Sequence, residues 1–240
     1  MSFRIKPEQI QEIIAYAALA DKEVRSDFSR GYVAGENDYT SLFTGALRRN
    51  LNTYSQAGVS VTSFVLKGHD ERKSGCDAAI IIQDRNLCKI ALFEAKWPMK
   101  KSHPRAWDYA QTSTGLSHFT DQIRRQSKLD DGFAVFEMFY SDDDFGQQKD
   151  FMEDSGSTCV WHEEALSHTL SKKNPDSVWK IQELEKLLES NRHSIAEILY
   201  EICSCHKGKP KPFFDPLGMI TEYNLPGAVT VIDCSNEGMH

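Results

Sequence analysis

One apolar stretch of the chain has an acid near its start and an acid and a lysine near its end: GCDAAIIIQDRNLCKIALFEAKW, residues 75–97. The pattern predicts two strands joined by the polar turn QDRNL, and an antiparallel hairpin about that turn places Asp77 directly opposite Glu94. Lys96 points to the same face, because side chains two residues apart on a strand share a face. Opposed carboxylates favour a divalent cation between them, since hard cations such as Mg²⁺ prefer oxygen ligands.

The same three side chains suit metal-assisted hydrolysis of a phosphodiester. A bound metal ion polarises the phosphate and activates water, and a nearby ammonium group stabilises the charge that develops in the transition state. The alternative is an ordinary solvent-facing pair, Glu94 with Lys96, such as many strands carry. Neighbouring apolar residues disfavour this alternative, because they predict that both faces of the hairpin are covered. They are Ile80, Ile81, Ile82, Leu92 and Phe93.

The arrangement of these residues resembles the PD-(D/E)XK nuclease superfamily, which has the restriction-endonuclease-like fold. An acid precedes one apolar strand and FEAK ends the next, so Asp77 matches the family's first acid, and Glu94 and Lys96 match its E-x-K. Cys76 stands where the family name has proline. Glu36, in GENDYTSLF, matches in placement the acid that the family often has on the preceding helix. The resemblance extends over less than half of the chain.

The resemblance implies a Mg²⁺ or Mn²⁺ ion held by Asp77, Glu94 and Glu36, with Lys96 assisting the attacking water. Glu36 falls on the apolar face of its predicted helix, where a carboxylate needs a partner that a metal would supply. In many relatives a glutamine or a basic residue on the helix after the motif faces the site. Here Gln122 would hold a metal-bound water or a phosphate oxygen. The alternative for this residue is a solvated helix face.

Basic residues cluster in a chain whose formal net charge is −7. Residues 96–128 carry seven basic and two acidic side chains, a local charge of +5 that suits a polyanion. We expect four of the basic residues to contact a nucleic-acid backbone, with a solvated surface as the alternative: Lys100, Lys101, Arg124 and Arg125. Three aromatic residues lie within this window and either stack on bases or pack in the core: Trp97, Trp107 and Tyr109.

Six cysteines at irregular spacing predict free, mostly buried thiols rather than a disulfide framework. The local cluster CSCH, Cys203 to His206, would supply zinc ligands together with Cys159 and His162. Structural zinc sites usually have paired cysteines at C-x₂₋₄-C spacing, so C-x-C at a helix end is a weak signal. Buried thiols are the preferred interpretation, and metal binding by Cys203, Cys205 and His206 is left open.

The spacing of apolar residues changes between helical and strand periods along the chain. It predicts helices over residues 7–24 and 36–54, a mostly helical stretch over 103–129 that breaks near 113–115, and helices opening at Asn174 and Ser194. Strands are predicted at 59–66, in the hairpin, at 132–140, at TCVW and at AVTVID. This order predicts an α/β fold with a mixed central sheet flanked by helices, restriction-endonuclease-like, with a helical C-terminal part. We expect one domain over residues 1–240, with a core at about 30–162 and a helical extension at about 163–240.

Together these observations predict a Mg²⁺-dependent nuclease that hydrolyses phosphodiester bonds, with DNA favoured over RNA, in restriction, phage defence or repair. The alternatives are a non-catalytic nucleic-acid-binding or assembly module on the same fold, and a zinc-stabilised interaction protein. The first residues lack a signal-peptide pattern and no run of about 18 apolar residues occurs, so we expect a cytoplasmic protein without a membrane partner. Endonuclease or exonuclease action, and a homodimer or a partner protein, are left open.

Overall fold

The computed structural model describes residues 2–65, 74–97, 107–129, 131–140 and 156–235, which form seven helices and seven strands. The helices are α1 (Pro7–Ser29), α2 (Glu36–Tyr54), α3 (His118–Gln126), α4 (His162–Ser171), α5 (Ile181–Asn191), α6 (Ile195–Cys203) and α7 (Pro216–Glu222). The strands are β1 (Ser60–Val65), β2 (Ala78–Asp84), β3 (Leu87–Lys96), β4 (Ala134–Phe139), β5 (Thr158–Trp161), β6 (Lys211–Pro212) and β7 (Ala228–Asp233). Within these ranges, no helix combines the length and the apolar character needed to cross a bilayer.

Six strands form a continuous mixed sheet in the order β1-β7-β2-β3-β4-β5, and the short strand β6 pairs with the beginning of β3. The β2–β3 hairpin is antiparallel, whereas β2 with β7 and β3 with β4 run parallel. The predicted α/β class with a mixed central sheet is therefore confirmed. Strand β7 belongs to the part of the chain that the sequence assigned to a helical extension, yet it lies inside the sheet between β1 and β2.

The β2–β3 hairpin has the register that the sequence predicts. Ala78 pairs with Phe93, and the chain turns at Arg85, whose φ of 54° is the left-handed backbone that tight two-residue turns require. Successive strand residues point to opposite faces of a sheet. Three consecutive isoleucines of β2 are fully buried, so both faces of the hairpin are covered: Ile80, Ile81 and Ile82.

Helices α1 and α2 cover one face of the sheet, and the other face carries two separate apolar clusters. One cluster packs α7 against β2, β3 and β7, and the other packs α3, α4 and α5 against β4 and β5. Along β4, Val135 belongs to the first cluster, Phe139 belongs to the second, and Glu137 stands between them. A strip across this face is therefore left to polar side chains.

Residues 107–117 are not helical, which corrects the helix predicted over this part of 103–129; the residues before 107 lie outside the described part of the chain. Gly115 has a φ of 70° and donates its N–H to the carbonyl of Gln111 at 2.8 Å, which closes a turn. Helix α3 begins only after Ser117, whose hydroxyl accepts a first-turn N–H at 3.0 Å. The sequence QTSTG contains residues that favour turns, and this local preference prevails over the helical period.

The helix predicted to open at Asn174 opens instead at Ile181. The Asn174 carbonyl accepts a backbone N–H three residues on at 3.2 Å, and the turn delivers Trp179 into the core, where it is fully buried. Burying so large a side chain outweighs one more helical turn. The cap predicted at Ser194 is confirmed, because its hydroxyl accepts the N–H of Glu197 at 3.2 Å and the Glu197 carboxylate accepts the Ser194 N–H at 2.7 Å.

Candidate functional site

Acidic side chains lie side by side in the polar strip of the sheet. Glu94 on β3 pairs in register with Glu137 on β4, so the two carboxylates share one face. Glu94 is 3% exposed and Glu137 is fully buried. Two neighbouring buried carboxylates need counter-charges, protons or hydrogen bonds, because an isolated buried charge is very costly.

Asp77 completes this row on the β2 side. Its backbone N–H donates to the carbonyl of Phe93 at 2.9 Å, and its Oδ2 accepts the N–H of Ala95 at 2.8 Å. Asp77 thus contacts the residues on both sides of Glu94 and lies across from it, as the sequence predicts. The regular strand pairing ends at Ala78, and the Asp77 carboxylate takes the place of the next ladder bond.

Lys96 brings a positive charge to the row and links it to α2. Its Nζ donates to Glu94 Oε1 at 2.6 Å and lies 3.9 Å from Glu36 Oε2, and the residue is only 6% exposed. Glu36 is the first residue of α2, where a carboxylate is favourable beside the positive end of the helix dipole. Its Oε1 also accepts the N–H of Trp97 at 2.9 Å, which ties the helix to the end of β3.

The pKa values of Glu94 and Lys96 are both raised in this cluster. Burial raises the pKa of Glu94 well above its ordinary value; Lys96 opposes the shift, and the carboxylates of Asp77 and Glu137 add to it. Burial lowers the pKa of Lys96, but the carboxylates of Glu94, Glu36 and Asp77 outweigh burial and raise it above its ordinary value. The shift of Glu94 follows mainly from its burial, whereas the shift of Lys96 follows from one ammonium group facing several carboxylates.

Helix α3 presents Gln122 to the same cluster. The Gln122 Nε2 donates to Glu94 Oε1, and the residue is 6% exposed, so the alternative of a solvated helix face does not apply to it. Its buried Oε1 accepts no hydrogen bond within the described part of the chain. The helix approaches closely because position 75 is glycine: a Cβ on Gly75 would lie 2.9 Å from the Gln122 carbonyl oxygen.

The sequence interpretation missed a second polar chain beneath the row. Glu137 Oε2 accepts a hydrogen bond from Gln126 Nε2 at 3.3 Å, and Gln126 Oε1 lies 2.9 Å from His162 Nδ1. Gln126 also donates to the carbonyl of Gly75 at 2.8 Å, so the chain anchors the segment that leads to Asp77. The signal in the sequence was a glutamate in the middle of the apolar strand AVFEMF.

The predicted basic surface is partly neutralised by acids. Arg124 Nη1 lies 2.5 Å from Asp176 Oδ1, and Arg125 Nε lies 3.1 Å from Asp121 Oδ2 within α3. Both arginines lie on the same helix as Gln122, and an ion pair holds each of them in position. Two further predicted contact residues lie outside the described residues: Lys100 and Lys101.

An open cavity of about 520 Å³ adjoins the charged cluster, and Glu36 and Lys96 form part of its wall. Five ring side chains line it as well: Trp97, Trp107, Tyr109, His118 and Phe119. Two of the aromatic residues whose role the sequence left open differ in burial. Trp107 is buried and packs edge-on against Phe119 with ring centroids 4.9 Å apart, whereas Tyr109 is 55% exposed.

The side chains that could hold a metal ion are oxygen donors, namely the carboxylates of Asp77, Glu94 and Glu36 and the amide oxygen of Gln122. These donors suit Mg²⁺ or Mn²⁺ chemically. Across the described ranges, however, no three His, Cys, Asp or Glu side chains are grouped closely enough to hold a metal ion. The Lys96 ammonium group lies 2.6 Å from Glu94 and 3.9 Å from Glu36, where it would compete with a metal ion for these two carboxylates.

The cysteines behave as buried thiols. All six are free and all but Cys205 are buried, as the sequence predicts. The potential zinc ligands have separate partners: His206 Nδ1 lies 3.2 Å from Glu201 Oε2, and His162 Nδ1 lies 2.9 Å from Gln126 Oε1.

Comparison with known proteins adds no relative to this description. No protein-family model matches the chain, and neither a curated protein nor a solved structure matches it.

Proposed function

We propose that this protein is a metal-dependent nuclease of the PD-(D/E)XK type that hydrolyses phosphodiester bonds, with DNA favoured over RNA. The observation that carries the proposal is the placement of Asp77 across from Glu94, with the Lys96 ammonium 2.6 Å from Glu94 at the edge of an open cavity. A row of acids with one lysine, beside space for a substrate, is the constellation that phosphodiester hydrolysis needs.

Each residue has a distinct part in the proposed reaction. Asp77, Glu94 and Glu36 would hold Mg²⁺ or Mn²⁺, which when bound supplies a Lewis acid for the phosphate and lowers the pKa of water. Lys96 places a positive charge where the transferred phosphate becomes more negative, and Glu94 fixes its orientation. The amide oxygen of Gln122, which has no hydrogen-bond partner among the described residues, can accept a hydrogen bond from the attacking water.

Cleavage assays test this proposal directly. The protein is incubated with plasmid, linear DNA and RNA, with Mg²⁺ and with EDTA. We expect Mg²⁺-dependent cleavage that Asp77→Ala or Glu94→Ala abolishes while the circular-dichroism spectrum is kept. Full activity in either variant would refute the site assignment, and no cleavage of any substrate by the wild-type protein would refute the function.

One observation favours a second candidate, a non-catalytic nucleic-acid-binding or assembly module. The Lys96 ammonium already neutralises Glu94, which removes part of the reason for a metal ion. Calorimetric titration with Mn²⁺ separates the two candidates. If the protein is a nuclease, it must bind Mn²⁺, and Glu94→Gln must abolish that binding. If it is a non-catalytic module, it needs no metal ion and binds nucleic acid equally well with and without EDTA.

A further inference from the structure

The cavity beside Lys96 has the size and position of a substrate subsite. Its volume of about 520 Å³ is within the range of small-molecule pockets. Because Glu36 and Lys96 line it, a group held there would be next to the phosphate that the proposed nuclease attacks. The ring side chains and the charged side chains on the other walls of the cavity indicate which chemical group it would bind.

An exposed stacking surface lies on one wall. The rings of Tyr109 and His118 are parallel to within 16°, with centroids 4.6 Å apart. His118 covers one face of the Tyr109 ring. Tyr109 is nevertheless 55% exposed, so the opposite face of its ring is available to a ligand. A flat ring presented in this way can stack on any nucleobase, since every base has a π-face.

Buried hydrogen bonds hold this surface in place. Asp108 accepts the N–H of Tyr109 at 2.8 Å and the N–H of Phe119 at 3.1 Å, both through Oδ1. Its Oδ2 accepts the N–H of Trp179 at 3.1 Å and the hydroxyl of Ser117 at 2.5 Å. With both oxygens occupied, Asp108 fixes the tyrosine backbone rather than contacting a ligand, and a pre-positioned ring binds with less loss of entropy.

The charges on the α2 side of the cavity, away from Lys96, disfavour a phosphate there. Glu36 and the exposed Asp38 lie on the side formed by the first turn of α2. Carboxylates repel a phosphate but accept hydrogen bonds from exocyclic amino groups of bases, and Asn37 on the same turn can both donate and accept. The cavity therefore suits a neutral, planar group with polar edges.

We propose that this cavity binds an unstacked nucleobase of the substrate strand, stacked on Tyr109, next to the scissile phosphate. The inference rests on the proposed nuclease function and narrows its substrate to single-stranded nucleic acid or unpaired strand ends. A base within a duplex would first have to be extruded, which costs a few kcal/mol, whereas an unpaired base enters without that cost.

The test measures binding of a short fluorescent single strand and of the corresponding duplex, in EDTA so that no hydrolysis occurs. Stacking needs no metal ion, so binding should persist in EDTA. The single strand should bind more tightly than the duplex, because its bases need not be extruded. Tyr109→Ala should weaken single-strand binding about fivefold or more, the lower end for loss of one base stack, while Tyr109→Phe retains it. Tyr54→Ala is the matched control, because Tyr54 is 58% exposed and lies at the opposite end of α2 from Glu36.

Two outcomes overturn the inference: equal affinity of Tyr109→Ala and wild-type protein for the single strand, or equal affinity of the protein for single strand and duplex. Cleavage that needs Asp77 and Glu94 but is indifferent to Tyr109 and to strandedness would leave the nuclease standing and remove the base subsite. Tyr109-dependent binding without cleavage in Mg²⁺ would support the subsite and remove the nuclease.

Discussion

Glu94 and Glu137 occupy paired positions on two parallel strands, and both carboxylates are withdrawn from solvent. Glu94 has the Lys96 ammonium at 2.6 Å, whereas Glu137 has the Gln126 amide at 3.3 Å and the His162 imidazole at 3.9 Å. One carboxylate is thus compensated by a full charge and the other mainly by hydrogen bonding. The charge of the row depends on protons and cations together.

The contribution of Glu94 to the stability of the metal-free protein should fall as the pH rises. Burial raises the folded-state pKa of Glu94, so above the ordinary value of 4.5 the folded state binds more protons than the unfolded state. That contribution is present at low pH and is lost as the pH rises through the raised pKa. Glu94→Gln should therefore gain stability relative to wild type with increasing pH. Urea denaturation in EDTA measures this, and parallel pH profiles of the two proteins would contradict it.

Replacing Lys96 should separate chemistry from metal binding. Lys96→Met should lower the cleavage rate by about a hundredfold or more, as loss of a transition-state charge contact does. Metal affinity should be kept or increased, because the ammonium no longer competes for the oxygens of Glu94 and Glu36. Single-turnover cleavage and Mn²⁺ calorimetry give the two quantities. Lys209→Met, which removes an exposed contact with Asp131, is the control; loss of metal binding with activity would make Lys96 structural.

Glu137→Gln should behave differently from Glu94→Gln. The side-chain oxygen of the glutamine can still accept the hydrogen bond from Gln126, so the free energy of unfolding should change by no more than about 1 kcal/mol. Cleavage should persist in Glu137→Gln and disappear in Glu94→Gln. Thermal unfolding and cleavage assays on the same preparations test this, and an equal loss of activity in both variants would place Glu137 in the active site.

Gly75→Ala should destabilise the protein and impair cleavage. Gly75 has a φ of 72°, and a Cβ there would lie 2.9 Å from the backbone oxygen of Gln122, so α3 must move. Gly31→Ala is the matched control, since Gly31 has a φ of 79° but open space around it. Both substitutions carry the left-handed penalty of roughly 1–2 kcal/mol, and Gly75→Ala should exceed it. Equal losses in urea denaturation would show that α3 adapts freely.

The arginines of α3 should determine how salt weakens nucleic-acid binding. In the double variant Arg124→Gln, Arg125→Gln, the slope of log affinity against log salt concentration should become flatter by about one to two. The change should be the same for all nucleic-acid sequences, because phosphate contacts do not read bases. The same change at Arg48 and Arg49, neighbouring arginines on α2, is the control. An unchanged slope in fluorescence anisotropy would show that Arg124 and Arg125 serve only their ion pairs with Asp176 and Asp121.

Local signals in the sequence were sufficient for the hairpin and its charges. The turn at Arg85 fixes the pairing, and pairing with alternation brings Asp77, Glu94 and Lys96 together without any knowledge of the remaining chain. Helix α2 also has the predicted bounds, and Ser194 caps as predicted, because capping depends on residues within one turn.

Contacts between distant segments could not be predicted in the same way. Glu137 is compensated by Gln126 and His162, which come from two different helices, so its strand looked like ordinary core. The burial of Trp179 delays a helix that the sequence opens earlier, and α1 continues to Ser29, past its predicted end, while it packs on α2. These outcomes depend on tertiary packing, which overrides local preference.

The position of β7 has a consequence during protein synthesis. Residues 228–233 fill the gap between β1 and β2, so a growing chain that still lacks them exposes two unpaired strand edges. Pairings of such long sequence separation also form slowly. The strand that leads from Asp77 gains its second neighbour only when this late segment leaves the ribosome. Strands β2 and β3 can therefore pair before the sheet is complete, and until residues 228–233 arrive the open edges of β1 and β2 are exposed to incorrect pairing.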